Sequence, residues 1–125
     1  MSLNEKQFEF LCDFGRLILY CLQVSVEAGA LGESVYFTIG EAFEDQEHRP
    51  KECWVHMPGS CHASRLAVDL NLIVNGRFVE KASPYWGRLG KFWKGIRPEN
   101  RWGGDFDGDS AGDYGHFSQA HDGKE

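Results

Sequence analysis

The sequence predicts an α+β domain in which helices flank a small antiparallel β-sheet. Three observations carry that reading. Apolar residues recur at helical spacing from Phe8 to Leu22. Residues Leu66 to Val74 place alternate side chains on two faces and run into Asn75-Gly76, the strongest short hairpin signal. Ser83-Pro84 then opens a second stretch of helical spacing.

Taken in order, Asn4 and Gln7 have the spacing of a capping box. Phe8, Leu11, Cys12, Leu19 and Leu22, widened by Phe14, Leu17, Ile18 and Cys21, predict a helix over about residues 5–28, stopped by Gly29 and Gly32. Val35-Tyr36-Phe37-Thr38-Ile39 is β-branched and aromatic and reads as a strand. Residues 40–60, mixed and polar with Pro50 and Pro58, read as a loop. In the strand from Leu66 to Val74, Leu66, Val68, Leu70, Leu72 and Val74 share one face, and Ala67, Asp69, Asn71 and Ile73 the other. A type I′ turn at Asn75-Gly76 returns Arg77-Phe78-Val79 antiparallel. Tyr85, Leu89, Trp93 and Ile96 predict a helix over about residues 84–95, which Pro98 cannot continue. After Arg101 the chain is rich in Gly and Asp until Tyr114-Gly115-His116-Phe117, read as a closing strand.

The 125 residues are read as one domain, 1–125. With 9 Phe, 4 Tyr and 4 Trp to bury, the composition excludes disorder of the whole chain. Of the net charge of −6, the stretch from Gly103 to Glu125 holds Asp105, Asp107, Asp109, Asp113, Asp122 and Glu125 against Lys124 alone. The rest is close to neutral, so no basic stripe exists to track phosphates and no nucleic-acid partner is expected. The apolar run Leu17–Leu22 is far too short to span a bilayer, so no membrane insertion is expected. Cys12, Cys21, Cys53 and Cys61 form no CxxC pair and read as reduced thiols.

Asp69 is the informative residue. It interrupts a strand built mainly of Leu, Val, Ala and Ile. A buried carboxylate there would cost several kcal/mol unless it is paired, hydrogen-bonded or bound to a metal. A catalytic zinc takes three protein ligands and leaves a position for water. His62, Asp69 and His116 supply such a set, and Asp113, three residues before His116, can place a base on the same side. Cys61 beside His62 reads as a packed thiol, because adjacent side chains on an extended chain point apart. Asp105-x-Asp107-x-Asp109 begins like an EF-hand calcium loop. Ser110 and His116, however, stand where such a loop needs Gly and Glu.

Ser60-x-His62-x-x-Arg65-x-Ala67-x-Asp69 and Asp113-x-x-His116 resemble the SxHxxGxAxD and (E/D)xxH elements of the zinc D-Ala-D-Ala carboxypeptidase and L-alanyl-D-glutamate endopeptidase superfamily. Phe37–Phe43, Leu66–Leu72, Trp102–Phe106 and His116-Phe117-Ser118 are similar to its phage-type branch, which tolerates Arg65 at the usual Gly. The resemblance implies a hedgehog/DD-peptidase-like fold, with zinc on His62, Asp69 and His116 and with Asp113 as general base and then acid. It implies hydrolysis of the stem peptide of bacterial peptidoglycan, foremost by an L-alanyl-D-glutamate endopeptidase of phage or prophage endolysin type. The alternatives are a D-Ala-D-Ala carboxypeptidase and a zinc-holding wall-peptide-binding protein with lost or weak turnover. Related enzymes carry an Arg where Glu44 stands, and a Glu there repels a developing oxyanion. Arg49, in the same loop, and Ser60 are the candidates for that substrate or oxyanion role. A monomer is expected, made in the host cytoplasm without a signal peptide and acting at the wall after release.

Overall fold

The computed structural model describes residues 1–41, 66–108 and 111–121. The candidate residues Arg49, Ser60, His62 and Asp109 lie outside the described residues, as do Glu44, Cys53, Cys61 and Arg65. The described chain is α+β: helix α1 (Leu3–Ala30), strands β1 (Val35–Glu41), β2 (Ala67–Val74) and β3 (Arg77–Phe78), helix α2 (Pro84–Ile96), strands β4 (Asn100–Trp102) and β5 (His116–Gln119), and a 3-10 turn at Gly103–Asp105.

Helix α1 starts two residues before the predicted point and ends two after it. Its cap is Ser2, not Asn4. The Ser2 hydroxyl accepts from Glu5 N–H at 3.2 Å, and the Glu5 carboxylate reaches back to Ser2 N–H at 3.3 Å. A hydroxyl three residues before a carboxylate completes both halves of the box, which leaves Asn4 inside the first turn. Gly29 does not stop the helix. The chain reverses at Gly32 (φ +87°), with Glu33 N–H donated to Ala28 O at 2.9 Å and Gly32 N–H to Gly29 O at 3.1 Å. These are the two bonds of a Schellman cap, and its left-handed position is the one that needs a glycine.

The sheet order is β1-β2-β5-β4, every pair antiparallel, with β3 hairpinned onto β2. The hairpin has Asn75 at φ +50° and Gly76 at φ +83°, as a type I′ turn requires. The predicted core face of β2 is the buried one: Leu66, Val68, Leu70 and Leu72 are all at most 7% exposed. They share one core with Phe117 of β5, with Phe10, Leu17 and Val24 of α1, and with Trp86, Leu89 and Trp93 of α2. Both helices therefore cover one face of the sheet. Ring contacts tie the layers, with Phe10 edge-on to Trp93 at 5.6 Å and Trp93 edge-on to Phe117 at 6.1 Å. Strand β4 had no sequence signal of its own, and β5 runs two residues beyond the predicted closing strand because Tyr114-Gly115 form a turn.

Among the described cysteines, Cys12 and Cys21 are free, as expected. Burial pushes the Cys21 thiol up to about 12, so it packs as an inert apolar group. No described helix is long and apolar enough to cross a membrane.

Among the described residues, the fully buried carboxylate is Asp13, which carried no signal in the sequence. It accepts from Arg97 Nε at 2.7 Å and Nη2 at 2.9 Å, from Arg16 at 2.8 Å, from Gln119 at 2.8 Å and from Asn100 at 3.4 Å. Burial alone would raise its pKa. The hydrogen bonds and charge of Arg97, with Asn100 and Arg16, outweigh this and hold it below the usual carboxylate value. An unfolded Asp takes its proton near pH ~4, whereas folded Asp13 takes it lower, so its stabilisation is complete above that point and lost as pH falls. Asp13→Ala should lower the unfolding free energy in urea by about 3–5 kcal/mol, because Arg97 is left without its buried partner. Asp13→Asn should also flatten the fall in stability of the wild type below pH ~4, measured as urea midpoints across a pH series.

Candidate metal centre

The centre is built on the neighbouring strands β2 and β5. Asp69 and His116 are register partners, on the sheet face opposite Val68, Leu70 and Phe117. Leu70 N–H is donated to Gly115 O and Gln119 N–H to Leu66 O, so the ladder bonds fall on the even residues of β2. Asp69 and His116 thus form a non-hydrogen-bonded pair, the kind whose side chains lie closest. His116 Nδ1 stands 3.2 Å from Asp69 Oδ1. The turn entering β5 adds the third group, with Asp113 Oδ2 3.9 Å from the same nitrogen. Asp69, Asp113 and His116 each offer one ligand atom, all within 4.8 Å of one another, an arrangement that can hold a metal ion. Burial grades across the group. The side chain of His116 is 8% exposed, that of Asp69 25% and that of Asp113 52%, so solvent reaches the group from the Asp113 side.

The turn is held from behind by residues that the sequence reading treated lightly. His116 N–H closes it onto Asp113 O at 3.1 Å. Trp102 donates its indole N–H to Tyr114 O at 2.7 Å. That ring fills the space a side chain would need at Gly90 of α2 and at Gly104, where a Cβ would come within 2.2 and 2.3 Å of it. Lys94 lies 5.5 Å over the same ring and pairs with Asp105 at 2.7 Å. Trp102 is therefore a positioning residue packed between α2 and the turn. Phe106 lies against the His116 ring at 5.4 Å. A Cβ at Gly103 would fall 1.9 Å from Asp113 O and 2.8 Å from His116 Cβ, and one at Gly115 would fall 2.3 Å from Leu70 O. The only sequence signal for these supports was the run Trp102-Gly103-Gly104, where two glycines after an indole mark close backbone approach.

The sequence-predicted residues Asp69, Asp113 and His116 are brought together as expected. Of the calcium reading, the described residues Asp105 and Asp107 do not join them, and Asp109 lies outside the described residues. Asp105 is exposed and paired with Lys94, and Asp107 is exposed.

A cavity of about 310 Å³ opens beside the group, lined by Asp69, Asn71, Glu80, Trp86, Asp113 and Tyr114 among others. It lies along β2 between two ladder ends, Leu70 N–H on Gly115 O and Val79 N–H on Leu72 O. Its described lining holds three carboxylates and no lysine or arginine. Such a volume is at the small end of ligand clefts.

Gly103→Ala displaces the backbone that carries Asp113 and His116. Calorimetric titration with a divalent metal ion should show affinity weakened about 10–100-fold, the usual loss when a support behind a metal ligand is disturbed. A scan against protein-family models and a search of curated proteins find no match, so the functional reading rests on the residues themselves.

Proposed function

We propose that this chain is a zinc-dependent peptidase of peptidoglycan stem peptides, an L-alanyl-D-glutamate endopeptidase of phage endolysin type with a hedgehog/DD-peptidase-like fold. The observation that carries the reading is the convergence of Asp69, Asp113 and His116, residues from two separated sequence motifs, on one point at the edge of a cavity. One imidazole nitrogen and carboxylate oxygens are a donor set that zinc accepts. Asp69 and His116, with His62, would hold the ion. When bound, zinc supplies a lowered pKa for a coordinated water and polarises a scissile carbonyl.

The remaining work falls to the side chains. Asp69 Oδ1 and His116 Nδ1 stand 3.2 Å apart, close enough for both atoms to serve one ion. Asp113 is the most exposed of the three, lines the cavity and keeps its carboxylate close to the group. That suits a base that takes a proton from the attacking water at Oδ and returns it to the leaving amine. The cavity extends from this carboxylate along the β2 edge, where an extended peptide can lie.

Mass spectrometry of fragments released from purified peptidoglycan by the zinc-loaded protein tests the proposal. New N-terminal D-glutamate or isoglutamine is the expected product. Free D-Ala would assign the carboxypeptidase instead, and no release with zinc bound would assign a binding protein. Asp113→Asn should cut turnover about 10²–10⁴-fold with zinc content retained. Asp69→Ala and His116→Ala should lose the zinc itself, and equal zinc loss in Asp113→Asn would make Asp113 a ligand rather than the base.

A further inference from the structure

Helix α1 carries two apolar seams. The inward one packs into the core through Phe10, Leu17, Cys21, Val24 and Ala28. The outward one consists of Phe8, Leu11, Ile18, Leu19, Leu22 and Val26, each between 49% and 68% exposed. At about 100° per residue these six and Gly15 fall within an arc of roughly 100° that includes no charged side chain. Their three-and-four spacing, 8-11-15-18-22, is that of a helix-pairing seam. The six expose roughly 600 Å² of apolar surface, at the upper end of what a monomer carries in one patch.

We propose that this outward seam is the interface of a homodimer, formed when α1 of a second copy packs antiparallel upon it, in place of the monomer expected from the sequence. Size complementarity selects the arrangement. With the two-fold axis at the level of Leu17, Phe8 of one copy meets Val26 of the other, Leu11 meets Leu22, and Gly15 meets Ile18 and Leu19. Nothing lies within 4 Å of the place a Cβ would occupy on Gly15, so the helix surface is open opposite two large side chains. A parallel pairing would set Gly15 on Gly15 and Phe8 on Phe8, leaving a void beside a clash. With a polar rim along the helix, the seam approaches the roughly 800 Å² per partner of a standard stable interface.

Charge argues for a second copy over a lipid surface. The only basic residues of α1 are Lys6 and Arg16, and both are in ion pairs, with Glu9 at 3.6 Å and Asp13 at 2.8 Å. Helices that bind anionic bilayers flank their apolar face with free cations. An uncharged seam meets its own copy without repulsion. The seam also lies on the outer side of the helical layer, whereas Asp69 and His116 are on the opposite face of the sheet, so pairing leaves the metal centre open.

Sedimentation equilibrium of the full chain at micromolar concentration tests this. The wild type should sediment at twice its 14.2 kDa chain mass. Leu11→Lys and Leu22→Lys, both at exposed positions, should each weaken association roughly thirty-fold or more with far-UV circular dichroism unchanged. Combining Leu11→Lys with Leu22→Glu should restore the dimer, because antiparallel pairing sets opposite charges face to face. A double variant that stays monomeric overturns the antiparallel register. A monomeric wild type, or a dimer indifferent to both single substitutions, overturns the proposal. So does a monomer that co-sediments with phosphatidylcholine vesicles, which would assign the seam to lipid.

Discussion

The Asp13 carboxylate is the constraint on which the rest of the structure depends. It sits at the centre of the long helix with no solvent access, and five donor atoms from four residues converge on it. Those residues come from α1 itself, from the end of α2, from β4 and from β5. A buried charge left unmatched is costly, so each donor must be delivered, and delivering them fixes where each element ends. Arg97 terminates α2 in extended backbone and turns its guanidinium onto Asp13. Asn100 donates both to Asp13 and to the carbonyl of Trp93, and Gln119 anchors the last residue of β5. Strand β4, which has no hydrophobic alternation of its own, is placed largely by these polar bonds and by its ladder to β5.

From that anchor the sheet carries order to the candidate metal centre. The Trp93 indole N–H is shared between Arg101 O of β4 and Ser118 O of β5, which locks the two strands beneath the helical layer. Strand β5 then presents His116 to Asp69 at a register where side chains approach closely, and Trp102 with Gly103 press the preceding turn into place. Among the described residues of the group, Asp69 and His116 sit on regular strands, and Asp113 projects from a turn. Strand-borne groups hold their geometry, while a carboxylate on an exposed turn can follow a proton.

The molecule presents three distinct surfaces. The inner side of α1 builds the core, its outer side displays an uncharged apolar seam, and the far face of the sheet holds the acidic centre and its cavity. A proposed dimer through the seam and a proposed peptidase at the cavity do not compete for space. Together they account for the two surface features that a small globular domain would otherwise have no reason to keep, a large apolar patch and a cleft lined by carboxylates.

Much of this was legible in the sequence by itself. The amphipathic spacing of α1 and α2, the Asn75-Gly76 hairpin and the alternation of Leu66–Val74 specified the elements and the core face of β2, because local periodicity and turn chemistry are properties of neighbouring residues. Asp69 and His116 were legible, with His62, as a metal set, and Asp113 as a base beside it, from residue type and spacing. Other features were decided only by the tertiary structure. Ser2 took the cap because its hydroxyl and Glu5 reciprocate, which spacing alone did not separate from Asn4 and Gln7. Asp13 reads as one more charge on a helix until residues 84 to 106 positions away supply its donors. Strand β4 exists because Trp93, Asn100 and β5 hold it, and Gly103 matters because Asp113 and His116 pack against it. The outward seam was hidden in the broad apolar stripe of α1, since periodicity reports that a side chain is apolar, while only packing decides which apolar side chains the fold leaves outside.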